Sequence, residues 1–185
     1  RQRQMCIRDS SLLALLALTL SAMAQEIVYD RTNANGVRTV ICSGTNTGVS
    51  EQMDVHVALA GFYYKGSVTY SLAVTIGSSH DVQIPQGGKL ILTLNNGKTV
   101  ELTTVSGGMS KLDAVDVDFD AVYESHSRFT YYNIKKKYLK KIDRGIAGID
   151  IQLMPQSYAM AFNQDTLGIL FANSYAVINQ AFGKK

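Results

Sequence analysis

Residues 53–77, "MDVHVALAGFYYKGSVTYSLAVTIG", constrain the fold more than any other stretch. Apolar and polar residues alternate on both sides of Lys65-Gly66, and a two-residue turn there sets Tyr64 opposite Ser67 and Tyr63 opposite Val68. Counting outward brings Leu59 to Leu72, Val57 to Val74 and Val55 to Ile76, so one face of the ribbon is apolar along its length. The other face carries His56, Thr75, Ser71 and Thr69 around Ala58 and Ala73. A slip of one residue would set leucine against alanine and bury His56, which specifies the register. A ribbon of this kind needs further strands beside it and a cover over its apolar side.

The neighbouring segments supply strands. In "KLILTLNNGKTVELTTV" a two-residue Asn96-Gly97 loop would mix the faces, whereas a three-residue loop over Asn95-Asn96-Gly97 pairs Leu92 with Val100 and Leu90 with Leu102. The longer loop also puts Gly97 where a left-handed residue is required. "EIVYD" and "VRTVICS" read as strands joined through "RTNANG". After "GGMS", Leu112 to Tyr123 alternates again: Val115, Val117, Phe119 and Ala121 fall on one side, and Asp116, Asp118, Asp120 and Val122 on the other. "RFTYYNI" and "IAGIDIQLM" are further strands, the latter closed by Pro155.

Two segments change period. In "NIKKKYLKKIDRG" the apolar residues Ile134, Tyr138, Leu139 and Ile142 suit a short helix ended by Gly145. In "NQDTLGILFANSYAVINQAFGKK" the residues Leu167, Leu170, Phe171, Ser174, Ile178 and Phe182 form one stripe, with Asn163 or Asp165 as cap and Gly183 as terminator. The expected fold is therefore α+β: a mainly antiparallel β-sheet of about seven or eight strands, partly wrapped on itself, with a short Lys-rich helix and a C-terminal amphipathic helix packed on the sheet.

The chain's first residues bear on where it works. Residues 1–10, "RQRQMCIRDS", resemble a translated sequencing-adaptor read-through and are set aside with Cys6. Residues 11–24 contain an apolar run from Leu12 to Leu20 followed by Ala22-Met23-Ala24, the form of a cleaved export signal and too short to span a bilayer. No cysteine follows the small residues, so a lipoprotein is not expected, and residues 25–185 form one exported globular domain, periplasmic or secreted. Setting residues 1–24 aside reduces 18 basic against 15 acidic residues to 15 against 14, so the pI of 8.8 gives no argument for nucleic acid. The one remaining cysteine, Cys42, lies between apolar residues with no histidine nearby and reads as a buried free thiol.

Candidate chemistry is sparse. Asp116, Asp118 and Asp120 have the two-residue spacing of calcium ligands, but counting from Asp116 the turn glycine is replaced by Ala121 and the closing glutamate by Ser127. The spacing equally describes the wet face of a strand; a divalent ion such as Ca²⁺ is the alternative, and no other cofactor is expected. Lys135, Lys136, Lys137, Lys140 and Lys141 surround an apolar helical stripe and are either a solvated face or a patch for an envelope glycan, an anionic surface or an acidic protein. Tyr63, Tyr64, Tyr131 and Tyr132 form either a stacking surface or core and cross-strand pairs. His56, His80 and His126 each stand alone, without zinc-ligand spacing. The motifs GxSxG, GxGxxG and the Walker loop are absent from the sequence.

The run "SVTYSLAVTI", "KLILTLNNGKTVEL", "FTYYNIKKKYLKKIDRGIAGIDIQL" and a closing amphipathic helix resembles the small exported domains of unknown function found in gut Gram-negative bacteria. The resemblance implies an antiparallel sheet capped by a terminal helix and brings no activity, ligand or catalytic residue with it. The reading is a non-enzymatic exported binding or structural module of the cell envelope. Its rivals are a small envelope hydrolase using Glu124 and His126, or Cys42, and a secreted inhibitor or accessory subunit that adds an edge strand to a partner.

Overall fold

The computed structural model describes residues 25–50, 52–104, 109–118, 121–142, 144–165 and 167–183, with the backbone alone for 109–118 and 121–125. Alternating segments broken at turns give strands β1 (Ile27–Thr32), β2 (Arg38–Cys42), β3 (Thr45–Ser50), β4 (Met53–Tyr64), β5 (Ser67–Ser78), β6 (Lys89–Leu94), β7 (Thr99–Thr103), β8 (Met109–Asp118) and β9 (Ala121–Ile134). Helix α1 (Lys136–Ile142), strands β10 (Ile146–Ile151) and β11 (Tyr158–Ala161) and helix α2 (Leu167–Ala181) complete the described chain. No helix among the described residues is long and apolar enough to cross a membrane.

Lys65 and Gly66 both take positive φ, 46° and 81°, the geometry of a tight hairpin turn whose twist matches its strands. The register that follows pairs Val55 with Ile76, Val57 with Val74 and Leu59 with Leu72, as the alternation requires. All six side chains are fully buried. Gly97 adopts φ 76° in the three-residue loop between β6 and β7, which pairs Leu92 with Val100 and Leu90 with Leu102.

The stretch from Leu112 to Tyr123 is not one strand. The chain reverses between Asp118 and Ala121, pairing Val117 with Val122 and Asp118 with Ala121. No glycine, proline or asparagine marks this reversal, and Ala121, Val122 and Tyr123 are consecutive apolar residues from which neither face can be assigned. "RFTYYNI" is accordingly the second half of the long strand β9. Strands β3 and β11, "TNTGVS" and "YAMA", carry little strand propensity and owe their conformation to pairing with β4 and β10.

Instead of one partly wrapped sheet, the strands make two antiparallel sheets. The larger has the order β1-β2-β4-β5-β9-β8 with β3 also paired to β4, and the smaller the order β11-β10-β6-β7. They meet along two seams around a single core. At one, Tyr158 Oη lies 2.8 Å from Thr47 Oγ1 and donates to the Gly48 carbonyl at 3.0 Å. At the other, Thr104 bridges to Tyr132 and its hydroxyl lies 2.8 Å from that of Thr130.

Helix α2 covers the inner face of β2 and β4 with Leu167, Leu170, Phe171, Ser174 and Ile178, as its spacing predicts. Asp165 caps it by accepting from the Gly168 amide at 2.8 Å, and the same oxygen accepts from Ile146 N at 3.0 Å, tying the helix start to β10. At its other end the helix runs so close to β4 that a Cβ on Gly61 would overlap the Ile178 methyl and come within 2.9 Å of the Phe182 ring. Arg38 joins three elements: it pairs with Asp30 of β1 at 2.7 Å and donates to the Ala181 carbonyl at 3.0 Å.

Candidate anion-binding face

Helix α1 is only seven residues long, below the length at which an isolated helix is stable. Leu139 and Ile142, buried in the common core, hold it in place. No acidic residue occupies its first turn, and Lys135, Lys136 and Lys137 crowd the end where the helix dipole is positive. That arrangement works against the helix, so these charges are not there for its stability. All five lysines of the run are exposed. Lys137 and Lys141 stand over the Tyr138 ring at 5.1 and 5.4 Å, and Lys136 stands 5.9 Å from the Tyr175 ring.

Beside this face lies a cleft of about 150 Å³ lined by Leu94, Asn96, Lys98, Thr99, Lys141 and Arg144. Backbone hydrogen bonds fix both of its walls. The β6–β7 loop is closed by Leu94 N donating to Lys98 O at 2.8 Å and Gly97 N to Leu94 O at 2.9 Å. The loop after α1 is closed by Gly145 N donating to Ile142 O at 3.1 Å, and the two loops are tied by Asn95 N donating to Gly145 O at 3.2 Å. Asn96 Oδ1 accepts from Lys98 N at 3.1 Å, which leaves its Nδ2 donor for the opening. Three cationic residues thus line one cleft together with Asn96 and Thr99, and among the described residues, which do not include Asp143, no carboxylate lines it. Sequence reasoning found Lys141 within its run but missed Lys98 and Arg144, which the pairing of β6 with β10, Leu94 beside Ile146, brings next to it.

Of the described cations elsewhere, Arg31 and Lys65 meet only the Tyr29 and Tyr64 rings, whereas three are held by carboxylates. Lys89 pairs with Glu101 at 3.0 Å, Arg38 with Asp30, and the buried Arg128 with Asp81 and the Val82 carbonyl. The Arg38 guanidinium holds the Asp30 carboxyl below its ordinary range. Among the described residues no carboxylate lies within 4.0 Å of Lys98, of Arg144 or of any lysine from Lys135 to Lys141.

The four tyrosines do not form one platform, because neighbours on a strand point to opposite faces. Tyr63 stacks on Phe182 at 5.6 Å, and Tyr64 is exposed with Lys65 over its ring. Tyr132 is fully buried in the core, where burial pushes its phenol up to about 12, and it is withdrawn from any surface. Tyr131 lies on the outer face of the large sheet, edge-on to Phe62 at 5.3 Å and to Phe129 at 4.9 Å, a cluster that reading "FYY" and "TYY" as units concealed. Its phenol is raised, first by burial and then by Tyr29.

Asp116 pairs with Tyr123 and Asp118 with Ala121 in the backbone register; their side chains, that of Glu124 and the whole of Asp120 lie outside the described residues. Among the described residues no three His, Cys, Asp or Glu side chains gather to hold a metal ion. Cys42 is fully buried under α2, its thiol donating to the Ser174 carbonyl at 3.7 Å and raised chiefly by burial, which removes it from nucleophilic chemistry. His126 pairs in register with Ser78, whose hydroxyl lies 3.2 Å from His80 Nδ1. The same hydroxyl accepts from the His80 amide at 3.2 Å, a local turn two residues long that accounts for the contact. No protein-family model matches the chain, and no curated protein or solved structure is detectably similar to it.

Proposed function

We propose that this protein is an exported, non-enzymatic binding module of the cell envelope, periplasmic or secreted, that engages an anionic partner through the lysine face of α1 and the adjoining cleft. The observation that carries this reading is the absence of any carboxylate partner, among the described residues, for Lys98, Arg144 and the five lysines from Lys135 to Lys141. Charge of one sign concentrated on one surface draws anions of any shape and is screened by salt. The apolar run before Ala22-Met23-Ala24 supports export.

The test is sedimentation with phosphatidylcholine vesicles containing or lacking phosphatidylglycerol, at low and at physiological salt. Each lysine near an anionic surface contributes about 1 kcal/mol. Lys135→Gln, Lys136→Gln, Lys137→Gln and Lys140→Gln combined therefore abolish a retention that the wild type shows only with the anionic lipid. Retention indifferent to salt, or equal in the variant, refutes the reading.

A second reading, an accessory subunit that adds an edge strand to its partner, is favoured by β1. All six of its residues are exposed, Ile27, Val28 and Tyr29 among them. Asn33 N donates to Val37 O, so after the irregularity between Ile27 and Tyr29 the amides of Tyr29 and Arg31 face β2 and the Thr32 amide points to the open edge. Thr32→Pro removes that outward donor while leaving the β1–β2 ladder intact, and a partner bound by strand addition is lost with it.

A further inference from the structure

We infer that the cleft between the β6–β7 loop and the end of α1 is a binding site for a phosphate monoester group, an assignment that rests on the anionic-partner reading and narrows it to one chemical class. Lys98, Lys141 and Arg144 present three positive charges to a single opening. A carboxylate or a phosphodiester brings one negative charge, whereas a phosphate monoester brings between 1.5 and 2 at neutral pH, by the ordinary titration of phosphate at about 6. It therefore matches this concentration of cations more closely. Its three terminal oxygens also match the donor set: the guanidinium of Arg144 takes two in a fork, and the ammonium groups and the Asn96 amide take what remains.

Size is compatible with this: a cleft of about 150 Å³ has room for a tetrahedral oxyanion, and because it opens to solvent the remainder of the ligand extends outward. The walls below the charges are Leu94 and the aliphatic stems of the lysines, an apolar rim suited to the carbon that bears the ester. The hydrogen bond from Asn95 N to Gly145 O holds the two halves at a fixed separation, so the site is formed before the ligand arrives.

Phosphate monoesters occur both on soluble metabolites and on lipid headgroups, and the test separates the two. Amide chemical shifts of the purified protein are followed during titration with glycerol 3-phosphate, and with acetate at matched ionic strength. Glycerol 3-phosphate is expected to shift residues 94–99 and 141–145 and to bind at least about tenfold more tightly than acetate; Lys98→Met and Arg144→Met each weaken it by about tenfold or more. Combined Lys135→Gln, Lys136→Gln and Lys137→Gln act only through the salt-screened field around the cleft and weaken this binding far less than either cleft variant.

In the lipid arm, vesicles of phosphatidic acid are compared with vesicles of phosphatidylglycerol at equal surface charge. A preference for phosphatidic acid that Arg144→Met abolishes identifies the lipid-borne ester, and no preference alongside glycerol 3-phosphate binding identifies the soluble one. Glycerol 3-phosphate that binds no better than acetate, or that is lost equally in the Lys135–Lys137 variant, overturns the inference. If vesicle retention still depends on the lysine face in that case, the broader reading survives. Tight glycerol 3-phosphate binding without any vesicle retention overturns the surface-binding reading alone.

Discussion

Tyr132 sits at the centre of the core, fully buried, and its hydroxyl has no hydrogen-bond partner among the described residues. In the unfolded chain water satisfies that hydroxyl, so folding costs about 1–3 kcal/mol for stripping it. Tyr132→Phe removes the cost and leaves a void no larger than one oxygen atom, worth a few tenths of a kcal/mol at about 24 cal/mol per Å³. The variant is therefore expected to be more stable by about 1–2 kcal/mol, raising the melting temperature by roughly 2–8 °C for a chain of this size. A pH series supplies an independent check. Burial pushes the Tyr132 phenol up to about 12, above its ordinary value of 10, so the folded state keeps a proton that the unfolded state releases between those values. The group therefore leaves stability independent of pH below 10 and lowers it as pH rises from 10 to 12, at about 1.4 kcal/mol per pH unit. Tyr70, also raised to about 12 by burial and by Tyr175, contributes a second such limb, so Tyr132→Phe makes the alkaline decline shallower without abolishing it. Urea denaturation of both proteins from pH 7 to 11.5 measures each quantity. A variant less stable than wild type by 1 kcal/mol or more at pH 7, with an unchanged alkaline slope, refutes the reasoning.

Gly61→Ala drives a methyl into Ile178 and Phe182 and is expected to destabilise the fold by about 1–3 kcal/mol in the same urea assay, with partial recovery in Gly61→Ala combined with Ile178→Ala. Asp165→Ala deprives both the Gly168 and Ile146 amides of their acceptor and costs about 1–2 kcal/mol, read as a lowered urea midpoint. Cys42 reacts with a thiol reagent at pH 8 only as fast as the protein unfolds, because its thiol is buried and raised; mass-spectrometric mapping of Cys42 during a labelling time course measures this rate.

Long-range pairing was legible wherever a turn residue coincided with a phase that only one register satisfies. Gly66 and Gly97 are such residues, and the pairs Leu59–Leu72 and Leu92–Val100 follow from them. The terminal helix was legible because its stripe from Leu167 to Ile178 repeats for three turns. The reversal between Asp118 and Ala121 was not, since it lacks any punctuating residue and interrupts the alternation within an apolar run. The division into two sheets was hidden for a different reason: it depends on β3 and β11, whose conformation is imposed by their neighbours. The cleft stood between these cases. Its lysine run was plain in the sequence, but Lys98 lies 43 positions before Lys141, and it is the pairing of β6 with β10, which no local signal announces, that makes them neighbours.

The fastening of α2 onto the first strands also bears on when this chain can fold. Cys42 and Ser174 touch across 132 residues of sequence, and Arg38 waits for the carbonyl of Ala181. A chain that has not yet reached α2 therefore leaves the inner face of β2 and β4 without its cover, so this part of the core closes only once the helix is present. Closing that part late sets a long sequence separation between the partners of one contact, the arrangement that slows folding relative to a chain built from local pairings.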